Sequence, residues 1–263
     1  MPLSPELRRL PGIASSFYRA GLLSELVTGM INGESGRSLI EDARKLMKDL
    51  ERNSQVEISG LENIPKEGGS VIVFNHPNMD VLLPAMLEFL VKIYDLNGQQ
   101  VKIAIVSELT LMSASLNQKT ALPGSTQIME RFNRMYSKNI ISVPTAKHRK
   151  DYLTGRTLAM RKLMRAVLNK EIVIISPEGH VEKNGAISPV ETYHEGSGKL
   201  AILATKMGIP TVPMGVWEEG KTIQVVVGEP FYISTEEADQ AAVEAMYEVS
   251  KYLPQELRGP FNY

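Results

Sequence analysis

The sequence predicts an α/β fold: a mixed, largely parallel sheet covered by helices on both faces, with an N-terminal helical hairpin. Two observations carry the prediction. From Gln55 onward, short runs rich in Val, Ile and Thr alternate with stretches of helical spacing. The runs are also almost continuously apolar, as strands buried on both faces are, whereas a strand with one wet face alternates apolar and polar residues.

Taken in order, the helical part comes first. Residues 15–30 are apolar with few charges, and residues 38–51 carry Leu39, Ala43, Leu46, Met47 and Leu50 at helical spacing. These segments form the hairpin of an N-terminal extension, residues 1–54, packed on the core. Its apolar stripe serves either as a cap on the main domain or as a lipid-contacting face. Strands are then expected over residues 56–59, 70–74, 101–106, 140–143, 172–176, 211–216 and 222–227. Helices are expected over residues 81–94, 108–116, 125–136, 157–169 and 198–207. A closing helix over residues 235–252 carries Ala242, Met246 and Val249 along one stripe, and residues 254–263 form a surface strap. At 263 residues the chain is long enough for one α/β domain, residues 55–263, beside the extension, and short for two independent cores.

Composition narrows the function. An apolar fraction of 43% with 22% charged residues is that of an ordinary folding chain. A formal charge of −1 provides no general attraction for nucleic acid or anionic lipid, so nucleic acid is not an expected partner and any anion must be held by a local cluster. The absence of cysteine excludes disulfides, a thiol nucleophile and thiolate-bound metal, and fits a reducing cytoplasm. Residues 1–9 lack the basic-then-apolar pattern of an export signal, and the longest apolar runs, such as residues 71–74 and 172–175, fall far short of the roughly 20 residues that span a bilayer. The expected location is the cytoplasm, any membrane contact being peripheral at the cytoplasmic face. The four histidines include no closely spaced pair and no Asp-rich calcium loop is present, so no metal is expected. Gly196-Ser197-Gly198 lacks the third glycine of a dinucleotide loop and the Gly-Lys-Ser/Thr of a phosphate loop.

In sheets of this kind ligands bind beyond the carboxyl ends of the strands. Two polar clusters fall at such points: Asn75-His76-Pro77-Asn78-Met79-Asp80 and Pro177-Glu178-Gly179-His180. His76 and Asp80 are four apart, so a helix beginning at Pro77 lets them share a face, the carboxylate holding one ring nitrogen while the other faces substrate. Such a pair makes an imidazole base for a hydroxyl, and no enzyme nucleophile is needed. Asn75 reads equally as a helix cap and Asn78 as a turn former. Gly179 allows close backbone approach, and Glu178 can bind hydroxyls. Lys147, His148, Arg149 and Lys150 stand together beyond a strand, either as a phosphate clamp or as a solvated loop. His180 contributes a hydrogen bond or merely occupies the loop, and His194-Glu195 reads as the start of a helix.

The residues from Val56 to Gly69, followed by Val71-Ile-Val-Phe-Asn-His76, resemble the lead-in to the first motif of the glycerolipid acyltransferases, the family of lysophosphatidate and glycerol-3-phosphate acyltransferases. Ile174-Ile-Ser-Pro-Glu-Gly179 looks like the family's third motif and Ile209-Pro-Thr-Val-Pro-Met-Gly215 like its fourth, in the same order. Ile140 to Lys150 matches the second only loosely. The resemblance spans roughly residues 56–227. It implies a His76/Asp80 base pair, acceptor binding at Glu178 and Gly179, a phosphate site at Lys147 to Lys150, and a Pro213 that shapes the acyl-side wall. The first motif of the family has four residues between His and Asp; this chain has three. In a helix that contraction turns the carboxylate by about 100°.

The function so implied is transfer of a fatty acyl group from acyl-coenzyme A or acyl carrier protein, as co-substrate, to the hydroxyl of glycerol-3-phosphate or a lysophospholipid such as lysophosphatidate. No further cofactor is expected. Two alternatives stay open: a thioester or lysolipid hydrolase using the same base, and a catalytically silent lipid-binding relative.

Overall fold

All seven runs predicted as strands join one sheet in a computed structural model, which describes residues 20–50, 55–98, 101–106, 110–113, 118–121, 125–144, 152–179 and 185–262. In chain order the described elements are α1 (Ala20–Ile31), α2 (Leu39–Leu50), β1 (Gln55–Ser59), β2 (Ser70–Phe74), α3 (Met79–Asn97), β3 (Val101–Val106), β4 (Thr110–Ser113) and β5 (Gln118–Ala121). There follow α4 (Ser125–Met135), β6 (Ile140–Val143), α5 (Tyr152–Leu168), β7 (Ile172–Ile175), α6 (Glu195–Lys206), β8 (Thr211–Glu219), β9 (Thr222–Val227) and α7 (Ala238–Ser250).

The sheet order is β1-β9-β8-β2-β7-β3-β6. β8, β2, β7, β3 and β6 run parallel; the β8–β9 hairpin reverses direction, and β1 joins β9 in parallel. The central strands are the most apolar. Every residue of β2 and of β7 is buried, as expected of strands with helices on both faces. Ile72, Ile174 and Met214 face α3, α4 and the N-terminal helices, while Val71, Val73 and Val173 face α5, α6 and α7. Each such side chain, fully removed from water, contributes about 1.5–3 kcal/mol. α6 and α7 meet at backbone contact: a Cβ on Gly198 would lie 1.8 Å from the Ala238 carbonyl oxygen. The glycine is there for helix packing.

The N-terminal helices share the core of the domain through Leu26, Leu39 and Ile40. α1 lies against α4, and α2 against α3. Between them Arg37 binds Asp42, with a second contact from its Nη2 to Oδ1 at 3.0 Å, and reaches Glu25 at 3.2 Å. Asp42 is buried and accepts from the Tyr136 hydroxyl at 2.8 Å. Burial, reinforced by the Asp42 carboxylate, pushes the Tyr136 hydroxyl well above its ordinary pKa. The hydrogen bond to Asp42 likewise holds Arg37 above its ordinary value.

Two expectations need correction. Of the helix expected over residues 108–116, residues 110–113 instead form β4, paired antiparallel with β5, Thr110 opposite Ala121. Leu109-Thr110-Leu111 alternates with period two, and an isolated nine-residue helix is too short to be stable on its own. The C-terminal strap is not wholly on the surface: Phe261 is buried and packs edge-to-face on Tyr247, with ring centroids 5.9 Å apart.

Candidate active site

Between β2 and β3 the chain leaves room for β7, so the carboxyl ends of β2 and β7 become neighbours, with Val73 opposite Ile175. On its other side β2 pairs with β8, Phe74 opposite Met214. The ends of β2 and β7 therefore converge, at Asn75-His76 and Pro177-Glu178-Gly179, beside Gly215-Val216 in the middle of β8.

Asn75 fixes the exit of β2. Its fully buried amide donates to the Val216 carbonyl and accepts from the Val216 N–H, both at 2.8 Å, bolting the loop to β8. The cap of α3 is Asn78, whose Oδ1 accepts from the N–H groups of Asp80 and Val81 at 3.0 and 3.1 Å. Asn78, read from sequence as a turn former, is thus the cap expected of Asn75, because the helix starts at Met79 and not at Pro77.

Glu178 is the hub. It is fully buried, yet its Oε2 accepts from the His76 N–H at 2.8 Å and its Oε1 from the Ser188 N–H at 2.7 Å. A carboxylate taken out of water is costly unless such donors replace its hydration. The same arrangement ties three loops together. Ser188 is held in turn by neighbours: the Ile187 N–H donates to the Leu257 carbonyl at 2.9 Å, and the Tyr193 hydroxyl donates to the Ser188 carbonyl at 3.0 Å.

Gly179 adopts φ 60°, the left-handed region that favours glycine. There is a second reason for it. A Cβ at this position would lie 2.2 Å from Cδ2 and 2.3 Å from Nε2 of His194, so the imidazole of His194 covers Gly179. The His194 N–H donates to the Pro177 carbonyl at 2.9 Å. His194 does start α6 as its N-cap residue, without a side-chain cap bond, and its ring also belongs to the site. Sequence reasoning set it aside; the one signal pointing to it is the bare backbone that Gly179 offers to a ring.

The His76 ring is half-buried and lies nearly parallel to Phe74, centroids 6.2 Å apart. Its Nδ1 is 3.3 Å from the Pro77 carbonyl oxygen. In the tautomer protonated at Nδ1, that N–H donates to the carbonyl and Nε2 keeps a lone pair. Asp80 stands exposed in the first turn of α3, and its carboxylate makes no hydrogen bond or ion pair among the described residues.

Pro213 is buried within β8, where its carbonyl accepts from the Gly228 N–H at 2.8 Å. Its missing N–H faces that same side, where β9 has just ended, so the pairing with β2 is unharmed. Lys147, His148, Arg149, Lys150 and His180 lie outside the described residues. Among the described residues no group of three His, Asp or Glu side chains is placed to hold a metal, and no helix is long and apolar enough to cross a membrane.

Among solved structures the chain is similar to the 1-acyl-sn-glycerophosphate (LPA) acyltransferase PlsC from Thermotoga maritima, at 18% identity and a TM-score of 0.45, over 88% of this chain and 82% of that one. No curated protein matches the sequence. The acyltransferase family model matches residues 55–217, more than half of the chain, and contains His76, Glu178, Gly179 and Pro213. The chain therefore belongs to the acyltransferase family.

Proposed function

We propose that this acyltransferase moves a fatty acyl group from acyl-coenzyme A or acyl carrier protein to the hydroxyl of glycerol-3-phosphate or of a lysophospholipid such as lysophosphatidate. The observation that supports it best is the loop after β2, where His76 is held by its backbone on Glu178 and its Nδ1 lies by the Pro77 carbonyl. His76 Nε2 takes the proton of the acceptor hydroxyl as its oxygen attacks the thioester carbonyl carbon. The tetrahedral adduct collapses, the carbon–sulfur bond breaks, and the imidazolium returns the proton to the departing sulfur. An ester and a free thiol result.

In this reading the Pro77 carbonyl orients the ring, and Asp80 adds a solvent-screened charge favouring the imidazolium. Gly179 lets the acceptor approach the backbone, and Glu178 holds the loops that receive it. Lys147, His148, Arg149 and Lys150 supply the cations for the acceptor phosphate, and Pro213 shapes the wall beside the acyl chain. The reaction takes place in the cytoplasm or on the cytoplasmic face of a membrane, through peripheral contact.

The exposed position of Asp80 favours a second reading, a silent relative that binds lipid without turnover. Thiol release separates the two. Purified protein is incubated with either donor and with glycerol-3-phosphate or lysophosphatidate, beside His76→Ala. Acceptor-dependent release that vanishes in the variant is expected. Release without acceptor would make the protein a hydrolase; lipid binding with no release from any donor would leave the silent relative.

A further inference from the structure

Away from the strand ends, a cleft of about 470 Å3 runs along the free edge of β6, between α4 and α5. Among the described residues β6 closes the sheet on this side and pairs only with β3. The Ile103 N–H donates to the Asn139 carbonyl at 2.8 Å, so residues 139, 141 and 143 turn their backbone groups toward β3 and residues 140 and 142 turn theirs toward the cleft. The Ile140 N–H is taken by the Tyr136 carbonyl at 2.8 Å. The Ile140 carbonyl and both backbone groups of Ser142 have no hydrogen-bond partner among the described residues.

One side chain in the cleft is also unsatisfied. Asn133 is only 5% exposed; its Nδ2 donates to Ser142 Oγ at 2.9 Å, and its Oδ1 accepts from nothing. A buried acceptor without a donor calls for an explanation, and a bound donor is one. The rim is basic. Arg134 on one wall and Lys162 and Arg165 on the other are exposed, and Lys102 closes one end, against the acids Glu130 and Glu171. Lys102 and Glu171 already pair with each other at 3.7 Å, which leaves the three exposed bases facing Glu130.

These features call for different things from a ligand. The rim asks for negative charge, whereas Asn133 Oδ1 and the outward carbonyls ask for N–H donors, which a phosphate or a carboxylate alone does not bring. An extended polypeptide with acidic side chains supplies both. We propose that the edge of β6 receives an acidic segment of a partner polypeptide as an added strand, its amides meeting Ser142, Ile140 and Asn133 and its carboxylates meeting Arg134, Lys162 and Arg165. The four residues of β6 span about 13 Å at roughly 3.3 Å per residue, room for a segment of similar length.

The test uses the full chain and a fluorescein-labelled octapeptide of repeating Glu-Glu-Thr-Thr, whose carboxylates face both walls, followed by fluorescence anisotropy at low salt. Saturable binding is expected, weakened at least about tenfold both by the exposed-site double variant R134E/R165E and by N-methylation of the peptide's alternate amides. Circular dichroism and melting of R134E/R165E should match the parent chain. Equal binding of the N-methylated peptide would overturn the added strand. So would equal binding of a Lys-Thr peptide, no saturable binding at millimolar peptide, or displacement by inorganic pyrophosphate that is itself sensitive to R134E/R165E, which would make the cleft a small-anion site.

Discussion

The backbone N–H of His76 donates to the Glu178 carboxylate at 2.8 Å, joining residues 102 positions apart. The bond fixes where the imidazole leaves the sheet, so the geometry of the proposed base depends on a buried acid that need not touch the reacting atoms. Glu178→Gln keeps the shape but turns one acceptor into an amide donor facing a backbone N–H. It should destabilise the protein by about 1–3 kcal/mol, read from denaturant unfolding. Thiol release should fall by about 100-fold through displacement of the ring.

Gly179 and His194 should behave as a pair. Gly179→Ala places a methyl inside the His194 ring and forces a left-handed alanine, at a cost of about 1–3 kcal/mol. In G179A/H194A the clash disappears and only the backbone strain remains. A double-mutant cycle should show a coupling of about 1 kcal/mol or more. Additive effects would mean that the ring moves aside without cost.

His76 and Asp80 should separate in kinetics. His76→Ala removes the proposed base and should lower turnover by about 100- to 10,000-fold. Asp80→Asn, at an exposed position with no described partner, should cost less than about tenfold because solvent screens its charge. A loss with Asp80→Asn as deep as with His76→Ala would show that the carboxylate reaches the ring during the reaction.

The Tyr136 hydroxyl carries a pH signature. Its folded pKa lies above the unfolded value of about 10, so its contribution to stability is complete below that pH and declines as pH rises beyond it. Melting temperatures from pH 8 to 11 should fall more steeply for the parent chain than for Tyr136→Phe. At neutral pH the same variant should be less stable by about 1–2 kcal/mol, from the lost bond to Asp42.

The C-terminal segment supports the site at a distance. Phe261→Ala should cost about 3–5 kcal/mol, because a buried aromatic ring is lost. The Leu257 carbonyl lies in the same segment and holds Ile187 beside Ser188, so thiol release measured well below the melting temperature should fall as well.

The sheet was legible in the sequence because strands buried on both faces have to be apolar throughout; Val71-Ile-Val-Phe74 and Ile172-Val-Ile-Ile175 admit little else. Residues 110–113 misled because a short apolar stretch fits either period until its pairing partner is known. His76, Glu178 and Gly179 announced themselves by standing just past strands. The contact of His194 with Gly179 arises from the return of the chain to the Pro177 carbonyl, and no local pattern encodes it. Asp42 lies on a stripe of charges typical of a wet helix face; its burial depends on Arg37 and Tyr136 arriving from elsewhere.

The insertion of β7 between β2 and β3 bears on how the protein is made. Until β7 has left the ribosome, β2 and β3 have no strand to join them, and the place it will fill is a gap of about 10 Å between two unpaired edges. A nascent chain ending at α5 would hold His76 but not Glu178, with two adhesive strand edges on display. The interval between the emergence of β3 and that of β7 is therefore the one in which this chain most needs chaperones, and until it closes His76 has no Glu178 to hold it.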